Sequence, residues 1–328
     1  MKLLTFCIIG LGSMGKRRAR LLKQLNENYQ LVGVDTRIDR REEFKGLFSC
    51  DVFSDIDTAL SNKICTAVFI CTSPMSHSNI KSQVDKYKLH TFSEINLLSD
   101  GYDDVIDTDN TRSFLSSTQL YTKEISKLMT IIDKKDIYFY TYHVGQYLHD
   151  WHPWDKQEEF FVFNKDTNGC REILAIQLPW IVECFGAVDK LKTVSGKFTS
   201  MNIAFPDVYT IILQHANGSI GCLTVDVVAR NPINDLKIQN ETTLIEWNGE
   251  PNSLKVFNLQ DKKFDVLQLY EKITHSNNYS VKIIEEPYLE EIKDFLKGVE
   301  DCDHQFKYSY KKDAYIINLL DLIEGKHE

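Results

Sequence analysis

The chain has 328 residues, 43% of them hydrophobic, with a net charge of −9 and a pI near 5.5. That length suffices for about two domains with separate cores, and an acidic balance argues against a nucleic-acid face, which needs clustered cations to neutralise phosphates. Eight cysteines without a C-x-x-C pair or a Cys/His cluster indicate neither a zinc site nor a disulfide framework and fit reduced thiols in a cytoplasm.

The N-terminal "MKLLTFCIIGLG" has a lysine before an apolar run, yet a glycine-rich turn and a basic helix follow in place of a cleavage site, so a buried strand is expected. No other run approaches the roughly 20 apolar residues of a membrane helix, and a soluble protein is expected. A helix to about Leu25 comes next. Its "KRRAR" at 16 to 20 interleaves with Leu21, Leu22 and Leu25 and reads as a solvated helix side. Then "YQLVGVD", the helical "REEFKGL", "TAVFICT", the helix "HSNIKSQVDKY" and "LHTFSE" alternate strand with helix. Apolar strands in a βαβ rhythm imply a parallel sheet covered on both faces, hence a doubly wound Rossmann domain.

Within "IIGLGSMGKRR", Gly10, Gly12 and Gly15 have G-x-G-x-x-G spacing at a strand-to-helix turn. The first permits the tight turn, the second lets backbone approach a pyrophosphate and the third allows close packing, with Ser13 and Met14 opening the helix whose N-terminus faces the phosphates. A bare tight turn is the alternative. The next strand ends in Asp35, 20 residues after Gly15, where a carboxylate accepts bonds from the ribose hydroxyls and repels a 2'-phosphate. NAD is therefore expected, with NADP as the alternative because Arg37 stands two residues on.

These motifs resemble the Gfo/Idh/MocA family of two-domain NAD(P)-dependent oxidoreductases, and the resemblance runs over nearly the whole chain. It implies that "FICTSPMSH" passes the nicotinamide ribose with Cys71, Thr72, Ser73, Pro74 and His77, and that "FSEINLLSD" occupies the place of the family's Glu-Lys-Pro. Glu94 matches the glutamate and is expected to hold nicotinamide or ribose. Ile95 replaces the lysine and Asn96 the proline. Aligned on Phe185-Gly186, the helix that carries Asp-x-x-x-His-x-x-Asp in catalytic members presents Glu172, Ile176 and Pro179. An isoleucine moves no proton, so the family's acid-base apparatus does not carry over, and Ile95 and Asn96 are taken as substrate-side residues with Glu172.

Relocated chemistry is sought in "YHVGQYLHDWHPWDKQEEFF", residues 142 to 161, after the strand "DIYFYTYHVGQYL". Tyr147, His149, Trp151, Trp154 and Asp155 offer stacking faces and titratable groups for a sugar, with His152 or Asp150 as the proton-handling residue. The bland alternative is that His152-Pro153 ends the strand and the tryptophans pack onto the second domain. A metal held by His149 and His152 lacks further ligands, and none is expected. Cys71 reads as packed rather than nucleophilic. In "STQLYTKEI", Gln119 and Tyr121 line the cleft, or Ser117 or Thr118 caps a helix.

The expected architecture is a Rossmann domain at 1–120 and, at 121–309, a substrate-binding and oligomerisation α/β domain with a large open, mostly antiparallel sheet. The helix near 310–325 docks by Ile316, Ile317, Leu320 and Ile323, returning to the first domain. The expected function is an NAD(P)-dependent oxidoreductase of a sugar or nucleotide-sugar hydroxyl or keto group, working as a homodimer or homotetramer through the open sheet. The alternatives are a catalytically silent NAD-binding sensor or assembly protein and a nonredox sugar enzyme whose NAD cycles transiently.

Overall fold

The computed structural model describes residues 4–98, 111–151, 160–274 and 284–326. Two compact units result, Met1–Thr118 with Tyr288–Ala314 and Gln119–Pro287 with Tyr315–Glu328.

In the first unit, β1 (Thr5–Ile9), β2 (Gln30–Val34), β3 (Asp51–Phe53), β4 (Ala67–Ile70), β5 (His90–Ser93) and β6 (Ser113–Leu115) form a sheet in the order β3-β2-β1-β4-β5-β6. Every pairing is parallel. Helices α1 (Ser13–Leu25), α2 (Ile38–Phe48), α3 (Ile56–Asn62) and α4 (His77–Asp85) make the connections. Strand order reverses at β1 and β4, the switch point at which such sheets bind ligands. Residues Phe6 to Ile9 and Ala67 to Ile70 are buried, as strands covered on both faces must be.

Phe69, Phe92 and Phe114 stand in register on β4, β5 and β6. Their centroids are 4.7 Å apart at each step, which is the strand spacing itself. Phe295 of α7 (Glu286–Glu300) meets all three edge-on at 5.5 to 5.9 Å. That packing groups α7 from Tyr288 onward with the first unit, a difference from the continuous 121–309 expected for the second domain.

The solvated reading of "KRRAR" is corrected here, because Arg17 and Arg18 are buried. Arg18 donates to both carboxylate oxygens of Glu94 at 2.7 and 3.2 Å, to Glu291 at 2.7 Å and to the Tyr288 carbonyl at 3.0 Å. Its guanidinium lies 4.5 Å over the Phe92 ring and that of Arg17 4.3 Å over Tyr288. Burial by itself lowers the Arg18 pKa, but the two carboxylates more than offset that and favour the charged group.

In the second unit, β7 (Phe139–Gly145), β8 (Val188–Gly196), β9 (Val208–His215), β10 (Ile220–Asp226), β11 (Ile233–Gln239), β12 (Leu244–Trp247), β13 (Lys255–Asn258) and β14 (Lys263–Val266) form one sheet. Its order is β14-β13-β12-β11-β7-β10-β9-β8. Only β7 and β10 pair in parallel; the rest are antiparallel. Period-two alternation turns Tyr140, Tyr142, Ile211, Leu213 and Leu223 inward while Phe139, Val194, Ile212 and Ile220 stay exposed on the other face.

Helix α6 (Gly169–Phe185) covers the inner face, where Phe185 stacks on Tyr140 at 4.3 Å and Trp180 meets Tyr142 edge-on. Asn168 caps α6 by accepting from the Arg171 amide at 2.8 Å. Arg171 is itself buried and pairs with Asp321 and Glu324. Helix α5 (Lys123–Ile131) is capped by Thr122, not by Ser117 or Thr118; those two instead bond Glu291 through the Ser117 amide and the Thr118 hydroxyl. In α8 (Tyr310–Ile323), Ile316, Ile317, Leu320 and Ile323 are buried.

Arg18→Met leaves two buried carboxylates without their cation, and equilibrium urea unfolding should show a loss of about 3–5 kcal/mol. A change below about 1 kcal/mol, the worth of an exposed pair, would mean that the network contributes little.

Candidate functional site

The glycine-rich turn is explained by sterics. Gly10 has φ +90°, and a Cβ there would stand 2.7 Å from the Cys71 carbonyl oxygen, so both conformation and space demand glycine. A Cβ on Gly15 would penetrate the Gly10 carbonyl oxygen, whereas one on Gly12 would meet only Arg40 Nη1, at 3.5 Å. The middle glycine thus faces an open cradle at the start of α1, where unpaired backbone amides favour an anion. Ser13 and Met14 form that first turn.

Asp35 follows β2 and is nearly buried. Its Oδ2 accepts from the Leu11 amide at 2.8 Å and its Oδ1 from the Arg37 amide at 2.9 Å, which ties the acid to the glycine turn. Each oxygen retains a lone pair for a hydroxyl. The Arg37 side chain turns to Asp39, with Nη2 2.7 Å from the carboxylate in an exposed pair. Arg40, which sequence reasoning missed, approaches Asp35 at 3.8 Å and flanks Gly12. Its one signal was position, one helical turn after Arg37.

Beyond β4, Cys71 is buried and its thiol is pushed up by burial and the neighbouring Glu94, as fits a packed cysteine. Ser73 Oγ is shut from solvent with no hydrogen-bond partner. Pro74 opens a single 3-10 turn before α4. His77 Nε2 lies 3.0 Å from the Thr72 carbonyl, and burial lowers its pKa to about 4. Glu94 and Asn96 are buried: Glu94 is bound by Arg18, and Asn96 donates to Asp313 at 3.0 Å and to the Leu98 carbonyl. Ile95 between them is half-buried. An orphaned hydroxyl, an open glycine cradle and an acid with spare lone pairs fit a dinucleotide.

In the second unit, the segment after β7 is held to the one after β10, since the Tyr147 amide donates to Ala229 at 2.8 Å and the Leu148 amide to Val227 at 3.1 Å. Arg230 lies 3.5 Å over the Tyr147 ring, Tyr147 is 5.2 Å from His149, and His149 is 5.6 Å from Phe163. Asp150 is exposed, and half-buried Trp151 donates Nε1 to the Gln146 carbonyl. His152, Trp154 and Asp155 lie outside the described residues. A Cβ on Gly169 would stand 2.7 Å from Leu148 and 3.5 Å from Trp151, so this segment packs on the N-terminus of α6.

One turn into α6 is Glu172. Its Oε2 is shut from solvent without a partner, and burial alone raises its pKa to about 7. Asp226 behaves oppositely: burial pushes it up, but His143 Nε2 at 2.6 Å and the Val228 and Ala229 amides outweigh that and lower it. The His143–Asp226 pair had no sequence signal, since it joins adjacent strands 83 residues apart.

His77 gives a pH test of the first unit. Its folded pKa of about 4 lies below the unfolded value near 6.5, so its neutral burial contributes fully above pH 6.5 and is lost as pH falls toward 4. Wild-type stability should drop by up to about 3 kcal/mol more than that of His77→Gln over this window. Parallel urea-stability curves for the two proteins would show that His77 protonates without penalty.

Residues 4–95 match the model of the oxidoreductase family with an NAD-binding Rossmann fold, GFO_IDH_MocA. No curated protein matches the sequence. Among solved structures, an oxidoreductase from Agrobacterium radiobacter in complex with NAD+, L-tartaric acid and magnesium has a TM-score of 0.84 at 12% identity, covering 100% of this chain and 98% of that one. Levoglucosan dehydrogenase in complex with NADH gives 0.81 at 15% identity over 99% and 96%. The myo-inositol 2-dehydrogenase of Lactobacillus plantarum gives 0.77 at 16% over 99% and 97%. Residues 4–95 are thus similar to the NAD-binding Rossmann domain of that oxidoreductase family, and the chain shares its fold with these solved structures over nearly its whole length.

Proposed function

We propose that the chain is an NAD-dependent dehydrogenase of a sugar or sugar-like hydroxyl, in which Glu172 takes the hydroxyl proton. The supporting observation is the Glu172 carboxyl itself, partnerless at Oε2, with a pKa of about 7. A base poised near the operating pH is what carbinol oxidation needs. A bound nicotinamide supplies the hydride acceptor. Gly12 and the first turn of α1 cradle the pyrophosphate, Asp35 accepts the ribose hydroxyls, and Ser73 offers its free Oγ. Asp150 is exposed, so Glu172 displaces it as the first residue to test.

NAD is favoured over NADP because Asp35 repels a 2'-phosphate, while Arg40 beside it works against that preference. Exposed Phe139, Val194, Ile212 and Ile220 on one sheet face support a homo-oligomer through that face. Free thiols at all eight cysteines suit a cytoplasm, and no helix among the described residues is long and apolar enough to cross a membrane.

The second reading, a catalytically silent NAD-binding sensor, is favoured by Ile95 and Ile176, which stand where catalytic relatives carry lysine and histidine. One experiment separates the two. In the dehydrogenase, kcat/KM for oxidation rises with pH to a plateau above about 7, and Glu172→Gln lowers kcat by about 10²–10⁴-fold while NAD+ affinity holds. Full activity in Glu172→Gln removes that residue from proton transfer, and no turnover with any polyol or sugar favours the sensor.

Cofactor choice has its own readout. Calorimetric titration should show NAD+ binding more tightly than NADP+, with Asp35→Ala weakening NAD+ by about tenfold or more and Arg40→Ala widening the preference. Equal affinities in the wild-type chain would overturn the assignment of NAD.

A further inference from the structure

We propose that Arg230 is an anion-recognising residue and that the substrate is an acidic sugar, carrying its charge as a carboxylate or a phosphate; this rests on the dehydrogenase reading and names its substrate class. Arg230 is exposed and lies 3.5 Å over the Tyr147 ring. A guanidinium held by one face against an aromatic ring keeps its N–H donors at the edge, in the fork that matches a carboxylate or phosphate.

Among the described residues no carboxylate neutralises it. The nearest acid in sequence, Asp226, is engaged elsewhere: Oδ1 accepts the Val228 and Ala229 amides and Oδ2 pairs with the His143 ring. Asp150 is exposed and forms no pair with it. Surface arginines normally find an acid or sweep through solvent, but this one is ordered by its ring.

Its position is also fixed. Backbone bonds from Tyr147 to Ala229 and from Leu148 to Val227 lock the two segments together. Leu148 and Val227 then pack against Gly169 at the N-terminus of α6, the helix that presents Glu172 one turn later. The ladder Arg230, Tyr147, His149, Phe163 offers a cation at one end and aromatic faces along its length, suited to a ring that bears an anion. A substrate charge is the partner that this arrangement suits.

The test uses the full chain at saturating NAD+, titrated calorimetrically with D-glucose, D-glucuronate, glucose 6-phosphate and UDP-glucose. At least one charged probe should bind roughly 10- to 100-fold more tightly than glucose, the worth of a charge-assisted pair. Arg230→Gln should erase that margin while glucose affinity, NAD+ affinity and melting temperature hold, and Arg230→Lys should keep part of it. Glucuronate leading identifies a carboxylate, and either phosphorylated probe leading identifies a phosphoryl group. If no charged probe binds better than glucose, or if Arg230→Gln keeps the margin, the proposal is wrong. Arg230-dependent binding without NADH formation would sink the dehydrogenase reading alone. Glucose oxidised with a kcat/KM equal to or above that of every charged probe would sink this proposal alone.

Discussion

A guanidinium with no solvent exposure is the constraint on which the nucleotide-binding unit depends. Bringing Arg18 out of water is unfavourable by several kcal/mol unless opposite charge and hydrogen bonds meet it, so the fold must deliver both Glu94 and Glu291 to the same point. Glu94 directly follows β5, Glu291 sits on α7, and Arg18 is on α1. Satisfying one cation therefore fixes three elements at once. Because α1 starts at the glycine turn, the same interaction orients the helix N-terminus that faces a pyrophosphate. The phenylalanine stack of β4, β5 and β6 supplies the apolar floor over which the cation sits, strengthening it in a way an ammonium would match less well.

The sequence made the first half of this unit legible because its signals are local. Apolar runs bounded by a glycine turn identify β1, α1 and β2, and the Asp35 spacing identifies the cofactor edge. Strand β3 and helix α3 escaped notice, since "DVF" is three residues long and "IDTALSN" seven, too short for periodicity to show. The burial of Arg18 was illegible for a different reason. Its partners are 76 and 273 residues away, and a basic run on an amphipathic helix looks solvated until the distant carboxylates are in place. Helix α7 likewise looked like part of the second domain, because chain order carries no sign that Phe295 belongs against Phe69, Phe92 and Phe114.

The candidate chemistry divided along the same line. Glycines and Asp35 are fixed by backbone sterics and could be read from spacing. Glu94 could be located but not understood: its carboxylate is committed to Arg18, so its value to a cofactor would come through rigid placement of β5 rather than through a free oxygen. Aromatic and titratable residues crowded at 143 to 155 advertised a site in the sequence. Only the fold distinguished an Asp226 engaged with His143 and two amides from a Glu172 without a partner at Oε2, and two carboxylates whose surroundings push them apart can take different roles.

The isoleucine at position 176 and the character of Glu172 then belong together. On α6, position 176 lies four residues after Glu172, on the same helical face. A histidine there would add a donor or a positive charge, either of which stabilises the ionised carboxylate and lowers its basicity. Isoleucine does neither. It leaves desolvation as the sole influence on Glu172, which is how the pKa rises to about 7. In the proposed dehydrogenase, Ile176 is thus the residue that leaves a carboxyl free to serve as a base at neutral pH, and acid-base chemistry on this helix rests on one side chain.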